Sequence, residues 1–195
     1  MQDTNQIKQM MQQRLDEARY GHCLRTAETA RELAERFGAD PDKAYLAGLL
    51  HDCAKAYDGS RILEIAQSMG LKLTKAQEAQ PYELLHGQAG AHVARTEYGV
   101  EDRDVLQAIY RHQCAAEDMT VLDNVVRLAD ATEPARSGQR VERMRALALQ
   151  SLEEALLVGL CTNIETFIKH RVFIEPGTAI YYNALVAALA DRAWG

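Results

Sequence analysis

Apolar residues recur at the helical step through most of this chain, and several of the stripes they form are closed by an imidazole or a carboxylate. Ala27, Ala30, Leu33, Ala34 and Phe37 make one stripe, with His22 on the side of Ala30 and Leu33. Val105, Ala108 and Ile109 make a second that runs into His112, and Leu122, Val125, Val126 and Ala129 make a third that runs into Asp130. Side chains three and four positions apart share one helix face, so each stripe turns to a core and carries a polar group at its margin. Alanine and leucine are prominent and only 12 glycines and 4 prolines occur in 195 residues, a mixture that favours packed helices over sheets. The expected fold class is all-α, a helical bundle in a single domain.

Punctuation along the chain divides it into helices. The first is expected over residues 19–37 and ends at Gly38. Asp40 followed by Pro41 supplies an N-cap and a proline at the first helical position, opening a second helix that is expected to run through Leu46, Ala47, Leu50 and Ala54. A third covers 61–69 before Gly70, and Thr74 with Gln77 has capping-box spacing for a short one. Pro81 is expected to break the chain before a helix over 83–98 that carries His86 and His92, where Gly87 and Gly90 allow close backbone approach. Helices over 102–113 and 121–132, a polar connection at 135–140, and helices near 140–150, 151–170 and 176–191 complete the reading. The C-terminal helices carry little chemistry and are expected to complete the core; their apolar residues would serve that core or a homodimer.

The charge of −6 and a pI near 5.5 offer no general attraction for phosphate backbones, so neither a nucleic acid polymer nor a membrane surface is an expected partner. A polyanionic small molecule would have to be met by local charge. Cys23, Cys53, Cys114 and Cys161 contain no Cys-x-x-Cys pair, which argues against a zinc ribbon or a dithiol motif. The start lacks the basic and apolar regions of a leader, and no apolar run approaches the ~20 residues of a membrane span. A cytoplasmic location with reduced thiols is expected.

His51 and Asp52 stand side by side after Leu49 and Leu50. Neighbouring helical side chains diverge by about 100°, so both cannot hide in one apolar stripe. At least one must face a polar cavity, solvent or a metal. With His22, His86, His112 and Asp130 they form a set of six divalent-metal ligand types: imidazole suits iron, manganese, zinc and cobalt, and carboxylates bridge ions. Any one of these residues reads as a hydrogen-bonded group on a polar helix edge, and His92 and His170 are assigned there. For the set, convergence from separate helices is the economical account, because a lone buried polar group is costly. A divalent ion would lower the pKa of a coordinated water and stabilise charge on a phosphoryl oxygen, so no serine, cysteine or threonine nucleophile is needed. Cys23, Cys53 and Cys114 lie within two positions of these residues; adjacent helical positions point elsewhere, and the thiols are assigned to packing.

The order His22, His51-Asp52, Asp130 resembles the HD-domain superfamily of metal-dependent phosphohydrolases, and the surrounding residues resemble its YqeK-type branch, the symmetrical diadenosine tetraphosphatases. The resemblance runs from about residue 19 to 136 and is carried by Arg19-Tyr-Gly-His22, His51-Asp52-Cys-Ala-Lys55, His86 after Glu83-Leu-Leu, His112 in Ile-Tyr-Arg-His, and Leu-Ala-Asp130-Ala-Thr-Glu133-Pro-Ala-Arg136. It implies an HD-type metal-binding core over about 19–136 with a helical extension over 137–195. It also implies one or two divalent ions, iron foremost, with manganese, cobalt or zinc as alternatives, and cleavage of diadenosine tetraphosphate to two ADP. His22, His51, Asp52, His86, His112 and Asp130 become expected metal ligands and Asp52 and Lys55 expected catalytic groups. Arg19, Lys55, Gln113 and Arg136 are the expected substrate-binding residues. Lys55, four positions after His51, would share its helix face and meet a phosphate; Arg136 offers a guanidinium fork.

After His112 the branch usually has threonine and, two residues further, glycine; this chain has Gln113-Cys114-Ala115. A hydroxyl and a flexible backbone contact are replaced, and substrate preference is where the change is expected to act. Rival readings are another nucleotide or phosphomonoester hydrolase on the same fold, and a metal-retaining nucleotide sensor with little turnover. The alarmone-hydrolysing branch ranks lower, since its Glu-Asp pair soon after His-Asp has no counterpart in Cys53-Ala-Lys-Ala-Tyr57.

Overall fold

The computed structural model describes residues 3–194, with side chains as far as residue 190. The chain folds as α1 (Thr4–Arg14), α2 (Glu17–Phe37), α3 (Pro41–Leu50), a 3-10 turn (Cys53–Ala56), α4 (Gly59–Ser68), α5 (Lys75–Ala79) and α6 (Pro81–Leu84), followed by α7 (His86–Thr96), α8 (Arg103–Arg111), α9 (Val121–Thr132), α10 (Gln139–Leu147), α11 (Leu152–His170) and α12 (Pro176–Trp194). Strands are absent among the described residues, as the all-α expectation requires.

Local chemistry sets most of the ends. Asp16 caps α2 by accepting from the backbone N–H of Arg19, and Gly38 ends it in the left-handed region at φ 78°. Asp40 accepts from the backbone of Asp42 and Lys43 with Pro41 at the first position of α3, and Asp102 does the same for Asp104 and Val105 at the head of α8. Thr74 and Gln77 close a capping box on α5, and Thr120 and Asp123 close another on α9.

Around these ends α2 packs along α3 and α9, α8 closes on α3 and α9, and α7 lies on α8. The α2–α3 contact is backbone to backbone: a Cβ at Gly48 would stand 3.0 Å from Ala27 Cα. At Gly87 a Cβ would meet the Tyr110 carbonyl oxygen at 2.9 Å, which explains the glycine in α7. Ala27, Leu49, Leu50, Ile109, Val125 and Leu128 are fully buried between these helices. Each large aliphatic side chain contributes about 1.5–3 kcal/mol by leaving water. Cys23 and Cys53 are buried and all four thiols are free, in keeping with packing.

Three segments depart from expectation. The second helix stops at Leu50 rather than running through Ala54: Asp52 sits at φ −105°, ψ 15°, and the following residues form the tighter 3-10 turn. The helix expected over 83–98 is divided at Leu85, where φ −122° and ψ −3° leave helical geometry, so Pro81 opens α6 and His86 opens α7. The helix α1 precedes every expected element; only Ile7 and Met11 of it are buried, one turn apart on an otherwise polar helix, which makes a faint stripe.

The C-terminal helices join the core through Tyr181 and Leu185, which are buried, while Ile168, Val172, Phe173 and Ile180 are exposed. No helix among the described residues is long and apolar enough to cross a membrane.

Candidate metal centre

The breaks after Leu50 and before His86, together with the C-terminal end of α8, bring imidazoles to one point. His51 caps α3, His86 is the first residue of α7, and His112 caps α8, while His22 comes from the second turn of α2 and Asp130 from the last turn of α9. Because α3 ends at Leu50, His51 and Asp52 escape the 100° divergence of helical neighbours, and both are buried, at 0% and 3% exposure.

The histidines form two pairs around Asp52. His22 Nε2 and His51 Nε2 lie 3.2 Å apart, as do His86 Nε2 and His112 Nε2. Asp52 Oδ2 is 3.5 Å from His51 Nε2 and 3.9 Å from His22 Nε2, while Oδ1 is 3.6 Å from His86 Nε2 and 3.9 Å from His112 Nε2. Asp130 Oδ1 adds a carboxylate oxygen to the first pair, 3.1 Å from His22 Nε2 and 3.8 Å from His51 Nε2. One carboxylate oxygen therefore faces each pair.

Every ring is held from behind. His51 Nδ1 donates to Gly48 O at 2.7 Å, His112 Nδ1 to Ile109 O at 2.6 Å, and His86 Nδ1 to Tyr82 O at 3.1 Å. His22 Nδ1 lies 3.2 Å from Glu133 Oε1. A carbonyl or carboxylate oxygen only accepts, so each Nδ1 carries a hydrogen, and a ring in its neutral form turns an Nε2 lone pair inward. Nitrogens 3.2 Å apart need a hydrogen or a cation between them, and the donor set fits divalent transition metals.

The carboxylates draw positive charge to the cluster, whether a ring proton or a metal ion. Burial disfavours a charged His51, but the Asp52 and Asp130 carboxylates and the Gly48 carbonyl outweigh it and raise its pKa to about 9. Burial and the neighbouring His51 and His86 push His112 down to about 3. Asp52 is held well below the carboxylate range against its own burial, chiefly by His51, His112 and His86, and Asp130 is held below it by His22 and His51. The carboxylates are thus anions at neutral pH.

A sequence model described as "HD domain" matches residues 19–135. The chain belongs to the HD domain family. A curated relative from Halalkalibacterium halodurans, called "Bis(5'-nucleosyl)-tetraphosphatase, symmetrical", is 38% identical over 91% of this chain and 94% of its own length. One of the same description from Bacillus subtilis is 35% identical over the same shares. A crystal structure of a predicted HD superfamily hydrolase involved in NAD metabolism, from Clostridium acetobutylicum, superposes with a TM-score of 0.91 at 34% identity, covering 96% of this chain and 99% of that one.

The cations expected at the HD site are all beside it, though two are engaged. Arg19 Nη1 donates to Asp52 Oδ2 at 2.6 Å, and Arg136 Nη2 donates to Asp130 Oδ1 at 2.9 Å. Lys55 is not at a helical i+4 step, because it lies in the 3-10 turn; its side chain is 8% exposed, 3.9 Å from Glu83 Oε2 and 4.2 Å from the Tyr82 ring centroid. Tyr82 also accepts from His86, so Lys55 borders that histidine pair. Gln113 is exposed and lines a cavity of about 190 Å³ with His112, Asp130 and Arg136. His92 is half-buried and His170 exposed, and neither joins the cluster.

Three residues that support the cluster received no role from the sequence. Glu133, 2% exposed, takes His22 Nδ1 on Oε1 and Arg25 Nε on Oε2 at 2.6 Å. A carboxylate at a helix C-terminus opposes the helix dipole and needs partners, which was the available signal. Arg25, one turn after His22, had no such mark. Arg127 donates to the His112 carbonyl at 2.8 Å and ties α9 to the end of α8.

Proposed function

We propose that this protein hydrolyses diadenosine tetraphosphate symmetrically to two ADP, using one or two divalent transition-metal ions, iron foremost, with manganese, cobalt or zinc able to occupy similar ligands. The reading rests on Asp52, whose two oxygens face separate histidine pairs. The substrate follows from the HD relatives named above, which carry that activity in their descriptions.

His22, His51 and Asp130 would hold one ion, His86 and His112 the other, with Asp52 shared. A bound ion supplies Lewis acidity and a water of lowered pKa. Water oxygen bonds to one of the two central phosphorus atoms, the oxygen bridging to the other leaves with the second ADP, and the proton lost by the water passes to solvent. Asp52 orients the water. Glu133 and the Gly48, Tyr82 and Ile109 carbonyls keep the four rings in the ligating tautomer.

Lys55 and Arg136 neutralise the phosphates, and Arg19 holds Asp52 while adding positive charge to the same wall. Gln113 donates hydrogen bonds where the branch usually has threonine. We place the protein in the cytoplasm, with a small-molecule nucleotide as its partner and no nucleic acid polymer. A homodimer is the proposed assembly, which sedimentation would test.

Purified protein reconstituted with each metal should release ADP alone from diadenosine tetraphosphate. ATP plus AMP would reject symmetrical cleavage. Nucleotide binding without turnover under every divalent ion would make the protein a sensor instead.

A further inference from the structure

Two oxygens on one side of the bundle lack a donor. Gln88 Oε1 and Glu175 Oε1 are both buried, and neither accepts a hydrogen bond among the described residues. Both residues line a cavity of about 250 Å³ walled by α7, the end of α8, the 113–115 loop and the start of α12. Gln88 is 3% exposed, and its amide lies against Cys114 Sγ. An unpaired buried acceptor costs about 1–3 kcal/mol. Two on one cavity wall mark a place for a group that donates.

The surroundings narrow the group. Gln113 and Arg127 line this cavity and also the smaller one that meets His112, Asp130 and Arg136, so the two cavities adjoin at these side chains. The two ends differ in charge. Arg136 and Arg140 line the metal-side cavity, which suits phosphate; Glu175 lines the other and repels it. Tyr110 and Leu84 give that far cavity an apolar wall. Its complement is a flat, uncharged group with amino or hydroxyl hydrogens.

The unusual loop builds this place. Cys114 receives the Gln88 amide, and the Ala115 carbonyl lies under Gly177, where a Cβ would stand only 2.6 Å away. Direct backbone contact thus seats the start of α12, and Glu175 with it, on the segment that departs from the family pattern.

We propose that the cavity between Gln88 and Glu175 is a nucleoside subsite, which takes the base or ribose of a nucleotide whose phosphates reach the metal centre past Arg127. It rests on the dinucleotide reading above and adds where a nucleoside sits.

Equilibrium binding of ADP and of inorganic pyrophosphate to the metal-loaded full chain tests it. Wild type should bind ADP more tightly than pyrophosphate. Glu175→Leu and Gln88→Leu should each weaken ADP roughly tenfold and leave pyrophosphate within about twofold, since only ADP brings the donors. Glu175→Gln, which keeps an acceptor oxygen, should retain ADP affinity. Equal loss for both probes, or unchanged ADP affinity in variants with wild-type melting temperature, overturns the subsite. Should Glu175→Leu not fold, Gln88→Leu decides by the same comparison. Failure of the activity reading shows separately, as no ADP released from diadenosine tetraphosphate by wild type, and leaves the binding comparison intact.

Discussion

Glu133 Oε1 stands 3.2 Å from His22 Nδ1, across 111 positions of sequence, and the same carboxylate takes Arg25 on its other oxygen. The pair fixes which nitrogen of His22 faces the cluster. Glu133→Gln should lower metal affinity about 10–100-fold by weakening that hold, as read by competition with a chromophoric chelator. Affinity equal to wild type would remove Glu133 from the centre.

Among the described residues Asp52 is the one carboxylate placed between both histidine pairs, so no described neighbour can replace it. Asp52→Ala should abolish turnover, with a loss of at least about 10³-fold in kcat comparable to losing a transition-state electrostatic group. Metal content measured on the same sample separates loss of ions from loss of water orientation. Residual activity near wild type would reject the bridging role.

Metal removal should destabilise the fold, because the proposed ligands come from α2, α7, α9 and the ends of α3 and α8 and converge only when these pack. An ion at 100 times its Kd stabilises the native state by about 2.7 kcal/mol. For a chain of this size that is a fall in Tm of roughly 5–10 °C on chelation, read by calorimetry, with recovery on adding back iron or manganese. Elemental analysis of anaerobically prepared protein identifies the resident ion.

Arg136 pairs with Asp130 while remaining 45% exposed at its side chain, which leaves part of the guanidinium for a ligand. Arg136→Ala should raise KM for diadenosine tetraphosphate roughly tenfold by removing a charge-assisted contact worth about 1.5 kcal/mol. Steady-state kinetics give the split, and an unchanged KM would move the phosphates away from α9.

Asp102 gives the fold a pH dependence independent of the metal. Partial burial opposes its charge, but Lys43 and the backbone N–H groups of Val105 and Asp104 outweigh it and lower the pKa. A lowered native pKa means that the stabilisation is complete above the unfolded value and is lost as pH falls through the native one. Asp102→Ala should therefore cost about 1 kcal/mol near neutral pH and progressively less below about pH 4. Urea midpoints at both pH values check it, and a constant penalty would refute the charged cap.

Much of the architecture was legible in local pattern. Gly38, the Asp40-Pro41 start and the stripes ending at His112 and Asp130 state where helices begin, end and face, because capping and burial periodicity act within a few residues. That the six clustered residues were polar groups at the margin of an apolar stripe or at a helix end was legible for the same reason. Local pattern could not show that α3 stops at Leu50, since Cys53-Ala-Lys-Ala continues a helical composition. That break depends on α7 packing against the turn, with Cys53 Sγ donating to Gly90 O at 3.4 Å.

By itself, then, the sequence determined an all-α chain with metal-competent groups at its helix margins. Only the tertiary structure decided their pairing around Asp52, the support of His22 by Glu133, and the enclosure of Gln88 and Glu175 by α12. The physical reason is distance along the chain. Helix periodicity encodes which side of a segment is buried, whereas contacts such as His22 with Glu133 or Gly177 with Ala115 arise when remote helices approach closely enough for backbones to touch.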